Sequence, residues 1–183
     1  RNPQPAMVMA SGMLHFCNGD HSGARQRFTQ ALSMDPEDDL ARLMLVLIDR
    51  LTGSQDQTAY HRYLAAADWR SPAEFQGYLL QVLEGKVDVP AATNAWTSSS
   101  EKSWIHYIAG ILRLQEGRPE EAEALIEQAV LSADPDGWEF FLARAKLDEL
   151  RQQRRTALKA PDARTSYSTR TQQFDHRAKE ILE

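Results

Sequence analysis

Four glycines punctuate this chain at nearly even intervals. Gly19, Gly53, Gly85 and Gly117 are separated by 34, 32 and 32 residues. Glycine enters the left-handed conformation that closes a helix without a steric penalty, so each of these positions reads as a helix stop. A regular period of this length is the mark of an array in which each interval holds one helical hairpin.

The first interval shows the hairpin most clearly. Val8, Gly12, Leu14 and Phe16 mark one helix, which Gly19 ends. Asp20 stands where a side-chain oxygen can accept the free N–H groups of a second helix, whose apolar stripe is Ala24, Phe28, Ala31 and Leu32. Gly12, Ala24 and Ala31 are small enough for the two helices to cross closely, with Phe28 filling the gap. Asp35-Pro36 reads as the cap and first-turn proline of a third helix.

Residues 6–36, with this order of Gly, Ala, Phe, Ala and Pro, resemble a tetratricopeptide repeat. The departures are His15, where the family usually has Tyr, and Val8, where it often has Trp. The resemblance covers residues 6–135 and is clearest in the first and last units. It implies an all-α fold: a right-handed solenoid of about four helical hairpins, at 6–37, 38–70, 71–102 and 103–135. In the second unit a first helix over 40–51 precedes Gly53, followed by a capping box at Ser54 and Gln57 and a stripe of Ala59, Tyr63 and Ala66. The third opens at Ser71-Pro72-Ala73-Glu74 and has a degenerate second helix near 90–98. The fourth is clean, with Gly110, Gly117, Pro119, Ala122, Ile126 and Ala129 in register. Beyond it lie a capping helix over 136–160 and then 161–183, a linker and an amphipathic helix carrying Tyr167, Phe174, Ala178, Ile181 and Leu182.

Charge narrows the function classes. The net charge is −5, yet residues 151–183 carry eight Lys/Arg against four Asp/Glu, so the body is acidic and the tail basic. The tail lacks the dense, aromatic-interleaved pattern of a nucleic-acid surface, and no nucleic-acid partner is expected. No apolar run approaches the roughly 20 residues of a membrane-spanning helix, and no direct membrane insertion is expected. A soluble chain is expected, in the cytoplasm, the other readings being a periplasmic or a membrane-tethered soluble domain. The start at Arg1, without Met or a signal-peptide pattern, reads as a fragment or a processed product.

No set of residues points to catalysis, a metal or a cofactor, and the chain reads as non-enzymatic. The five histidines are scattered, and His15 and His106 fall on packing positions. Cys17, the single cysteine, has no ligand partner at suitable spacing and reads as a partly buried small hydrophobe.

The resemblance also implies a binding surface. In that family the concave side is lined by the first helix of each unit, which here places Met9, Met13 and Phe16; Leu43, Leu47 and Arg50; Phe75, Leu79 and Val82; and Tyr107, Ile111 and Leu114 in one row. Family members that grip acidic chaperone tails use Lys, Arg and Asn in such rows. Only Arg50 is basic here, so that clamp is not expected. An apolar row needs a cover. The expected function is a protein-interaction module or assembly scaffold that holds a helical or extended peptide in this groove. A second copy of the chain and its own 166–183 helix are the other occupants. The alternative function is a regulatory or targeting domain of a larger protein, membrane-anchored or enzymatic, with that helix in the groove. Simple packing of the row, helix on helix, is the competing structural reading.

Overall fold

The computed structural model describes residues 4–53 and 74–159. Among the described residues the protein is all-helical, with eight helices: α1 (Pro5–Cys17), α2 (His21–Met34), α3 (Asp39–Thr52), α4 (Phe75–Leu83), α5 (Val89–Ala95), α6 (Ser99–Gln115), α7 (Pro119–Ser132) and α8 (Trp138–Lys159). The stripe at Ala59, Tyr63 and Ala66 and the whole of 161–183 lie outside the described residues.

The punctuating glycines act through their backbones. Gly19, Gly53, Gly85 and Gly117 have φ between +64° and +74°, the left-handed region that disfavours any residue with a Cβ. After α1, α4 and α6 the same pair of hydrogen bonds closes the helix: Gly19 N–H to Phe16 C=O and Asp20 N–H to His15 C=O, Gly85 to Val82 and Lys86 to Gln81, Gly117 to Leu114 and Arg118 to Arg113. These are Schellman closures, which satisfy carbonyls that the end of a helix leaves without partners.

Helix starts are equally specified. Asp20, Asp38 and Asp88 each accept a backbone N–H three residues on, at 2.9, 2.9 and 2.8 Å. Ser98 and Glu101 form a reciprocal capping box that starts α6 at Ser99, four residues before the expected unit boundary at 103. Asp35 does not cap α3 as expected. Its N–H closes α2 on Ala31 C=O and its carboxylate accepts from Glu37 N–H, so Asp38 takes the capping role.

Two hairpins show why small residues were needed. A Cβ on Gly12 would stand 2.6 Å from Phe28 Cε1, and one on Gly110 would stand 2.5 Å from Ile126 Cγ1. The α1–α2 and α6–α7 pairs therefore approach through corresponding glycines, with Ala24, Ala31, Ala122 and Ala129 buried opposite. Ser103, buried in α6, donates from Oγ to the Ala129 carbonyl of α7 at 2.8 Å.

The hairpins are joined through α3, which packs on α2 and on α4. Ala41, Leu43, Met44, Leu45, Leu47 and Ile48 are all buried, so α3 is apolar nearly all round because it is covered nearly all round. Arg42, buried with them, is held by Asp39 at 2.6 Å and by the Pro36 carbonyl. Arg25 of α2 bonds Asp49 of α3. α6 is the other hub, packing on α4, α5 and α7.

The chain divides into two units at Leu147 and Asp148, within α8. The first contains α1–α7 and the opening turns of α8, where Leu142, Ala143 and Leu147 are buried. In the second, α8 continues through Lys159 with Glu149, Gln152, Gln153 and Thr156 exposed along it.

Candidate binding site

The expected row divides between covered and open positions. Met9, Met13, Phe16, Leu43, Leu47, Leu79, Val82, Tyr107 and Ile111 are buried. Phe75 and Leu114 are half-buried, and Arg50 is exposed. Phe75 rests edge-on against Trp96 with ring centroids 5.1 Å apart. The row is most open toward the C-terminal ends of its helices, and two spaces lie there.

The smaller is a cavity of about 80 Å³ that brings together Phe16, Tyr107, Ile111 and Leu114 of the row with Cys17, His21 and Leu51. Its remaining wall is α8, through Leu142, Ala145 and Lys146. His21 begins α2 beside Phe16, ring centroids 5.5 Å apart, and its Nδ1 is buried without a hydrogen-bond partner. Burial pushes the His21 pKa down, Lys146 adds to the effect, and Asp20 opposes it. Burial likewise pushes the Cys17 thiol up, against a smaller opposing pull from Lys146, so the group is a poor nucleophile at neutral pH.

The larger space is a cleft of about 320 Å³ at the C-terminal ends of α3, α4 and α6, closed on one side by the start of α5. Arg50 and Val82 of the row line it, with Leu83, Val87, Pro90, Ala109 and Leu112. Gln115 Nε2 donates to the Arg50 carbonyl at 2.8 Å, tying the end of α6 to the end of α3 and fixing the width of the opening. Its volume is at the lower end of the range typical of ligand pockets, and aliphatic side chains share its walls about equally with polar groups, among them Arg50, Asp88, Arg113 and Glu116.

Two charged groups of the cleft, Arg113 and Glu116, are paired with each other. Arg113 Nη1 lies 2.7 Å from Glu116 Oε2, and Arg118 Nη1 lies 3.3 Å from the same oxygen. Arg113 followed by Arg118 holds the Glu116 carboxyl below its ordinary value. The Arg118 guanidinium is raised, first by Glu121 and then by Glu116. Asp88 is occupied as the cap of α5.

Ala109 and Leu112 were absent from the expected row because the row followed a single face of each first helix, and these two lie on the opposite face of α6. The loop contribution was legible only as the cap and proline in Val87-Asp88-Val89-Pro90, which locate a helix start but not what it faces. Among the described residues, no three His, Cys, Asp or Glu side chains gather in a way that could hold a metal ion. No described helix is long and apolar enough to cross a membrane. No family model, curated protein or solved structure matches the chain.

Proposed function

We propose that this protein is a non-enzymatic interaction module of tetratricopeptide-like helical hairpins, and that it takes an extended or helical segment of a protein partner in the cleft at the ends of α3, α4 and α6. The observation that carries the reading is the cleft itself, an opening of about 320 Å³ walled by aliphatic and charged side chains in near-equal measure, at the end of a row whose other members are mostly covered. A partner side chain entering it meets Val82, Leu83 and Leu112 and gains burial without first displacing a helix. The test is photocrosslinking in cells with a diazirine amino acid placed at Val87, in the cleft, or at Gln128, on the exposed surface of α7. The reading requires a discrete polypeptide adduct from Val87 and none from Gln128. Equal labelling from both, or none from Val87, refutes it.

A regulated form of the same module is favoured by one further observation. α8 supplies Leu142, Ala145 and Lys146 to the small cavity beside Phe16, Tyr107 and Ile111, which supports a reading in which the chain's own helix competes with a ligand of the row. In this second reading the buried row becomes available only when α8 moves, as in a regulatory or targeting domain of a larger protein.

A further inference from the structure

The ionised groups of the cleft are not all equally engaged. Glu116 is shared by Arg113 and Arg118, and Asp88 is held by Ala91 N–H. Arg50 differs. It lies in the last turn of α3 and is exposed, and among the described residues its guanidinium has no hydrogen-bond or ion-pair partner. Elsewhere arginines are matched with carboxylates: Arg25 with Asp49, Arg42 with Asp39, Arg118 with Glu121. In a chain with 26 Asp and Glu against 21 Lys and Arg, such pairing is what surplus acid produces, and an arginine without a carboxylate partner, lining a cleft that also holds Val82, Val87 and Leu112, is open to a carboxylate from outside.

Resting on the function proposed above, we propose that the cleft recognises a partner segment that places one acidic side chain between aliphatic ones, the carboxylate on Arg50 and the flanking side chains on Val82, Val87 and Leu112. A guanidinium offers two parallel donors that match both oxygens of a carboxylate, a geometry that a lysine ammonium does not reproduce. Asp88 and Glu116 in the walls limit the negative charge the cleft tolerates. The fit is to a single acid flanked by aliphatic residues, not to an acidic run. The helix C-termini add partial negative charge behind Arg50, so the carboxylate binds on the outer side of the guanidinium, at the mouth.

The test uses the full chain and fluorescence anisotropy with N-terminally labelled, C-terminally amidated peptides of sequence Leu-Val-Glu-Val-Leu and its Gln and Lys counterparts. The amide removes the terminal carboxylate, leaving the central side chain as the only anion. The Glu peptide is expected to bind about tenfold tighter than the Gln peptide, the loss typical of removing a charge-assisted hydrogen bond. Arg50→Glu is expected to reverse the order in favour of the Lys peptide, while Arg50→Lys keeps the order and narrows the gap. Because Arg50 is exposed and has no side-chain partner among the described residues, its variants are expected to keep the wild-type circular dichroism and unfolding midpoint, so a lost preference reads as recognition and not as unfolding. Equal binding of the Glu and Gln peptides overturns the inference but leaves the cleft a docking site. No binding of any peptide overturns it as well, and the Val87 crosslink then decides separately whether the cleft docks a partner at all. Arg50-dependent binding of octanoate in place of the peptides overturns it in favour of a small-molecule carboxylate.

Discussion

Gly110→Ala tests the hairpin packing with a single methyl group. The added Cβ would lie 2.5 Å from Ile126 Cγ1, 3.2 Å from Ile126 Cδ1 and 3.2 Å from the Ala122 carbonyl oxygen. Ile126 is fully buried and the carbonyl belongs to α7 itself, so neither neighbour retreats without moving the helix. Overpacking of this kind costs about 1–3 kcal/mol, and the backbone neighbour places it near the top of that range. Alanine recovers about 1 kcal/mol of helix propensity lost at an interior glycine, leaving a net loss of about 2 kcal/mol. For a chain of this length that lowers the melting temperature by about 4–8 °C. The assay is urea and thermal unfolding followed by circular dichroism, with Ile126→Ala completing a double-mutant cycle. Ile126→Ala alone costs about 2–5 kcal/mol through the cavity it leaves. Combined with Gly110→Ala, the new methyl enters that cavity, so the pair is expected to be less destabilised than the sum by at least about 1 kcal/mol. A Gly110→Ala variant as stable as the parent, or a cycle that is simply additive, would show that the α6–α7 approach is not as close as described.

Two further outcomes follow from burial. His21 and His106 both have pKa values lowered below the ordinary 6.5, chiefly because burial penalises the charged form, with Lys146 and Lys102 respectively adding to it. The folded state therefore binds fewer protons than the unfolded chain, so this contribution is complete above about pH 6.5 and is lost as the pH falls through 6.5 toward the lowered values. The urea midpoint should fall between pH 7.5 and pH 5.5, and His21→Asn with His106→Asn should flatten that slope; a midpoint that rises on acidification contradicts the assignment. Leu47→Asp, at a fully buried row position, is expected to abolish cooperative unfolding outright because it buries an unpaired carboxylate, whereas Val87→Asp in the half-exposed cleft wall keeps the fold; a folded Leu47→Asp chain would show that α3 is less enclosed than described.

The backbone turns were legible in the sequence because they depend on local chemistry. A left-handed position tolerates little besides glycine, so the stops at Gly19, Gly53, Gly85 and Gly117 could be read one residue at a time, and the close approaches at Gly12 and Gly110 followed from their spacing to Phe28 and Ile126. The start of α6 was less legible. Ser98 caps it, but the Thr97-Ser98-Ser99-Ser100 run offers three consecutive serines, and only the reciprocal bond from Glu101 selects among them. That most of these side chains are buried was legible as a periodic apolar face on each helix, but what covers them was not. Periodicity reports that a face avoids water without reporting which element excludes the water, and Leu142 and Ala145 of α8 carry no local mark of the cavity wall they form.

The position of the opening is itself a consequence of where charge falls along the row. On α3, Leu43 and Leu47 are sealed, and the next member of the same face, Arg50, is exposed. Burying a guanidinium without a carboxylate costs several kcal/mol, which no neighbouring aliphatic contact returns, so the packing that closes over the leucines must stop before it reaches Arg50. The helices around it also end at the cleft, α4 at Leu83 and α6 at Gln115, and the turn at Gly85 brings no side chain into it. One arginine at the last position of an apolar face is enough to turn the end of a closed core into a cleft, and it supplies that cleft with its only unengaged charge among the described residues.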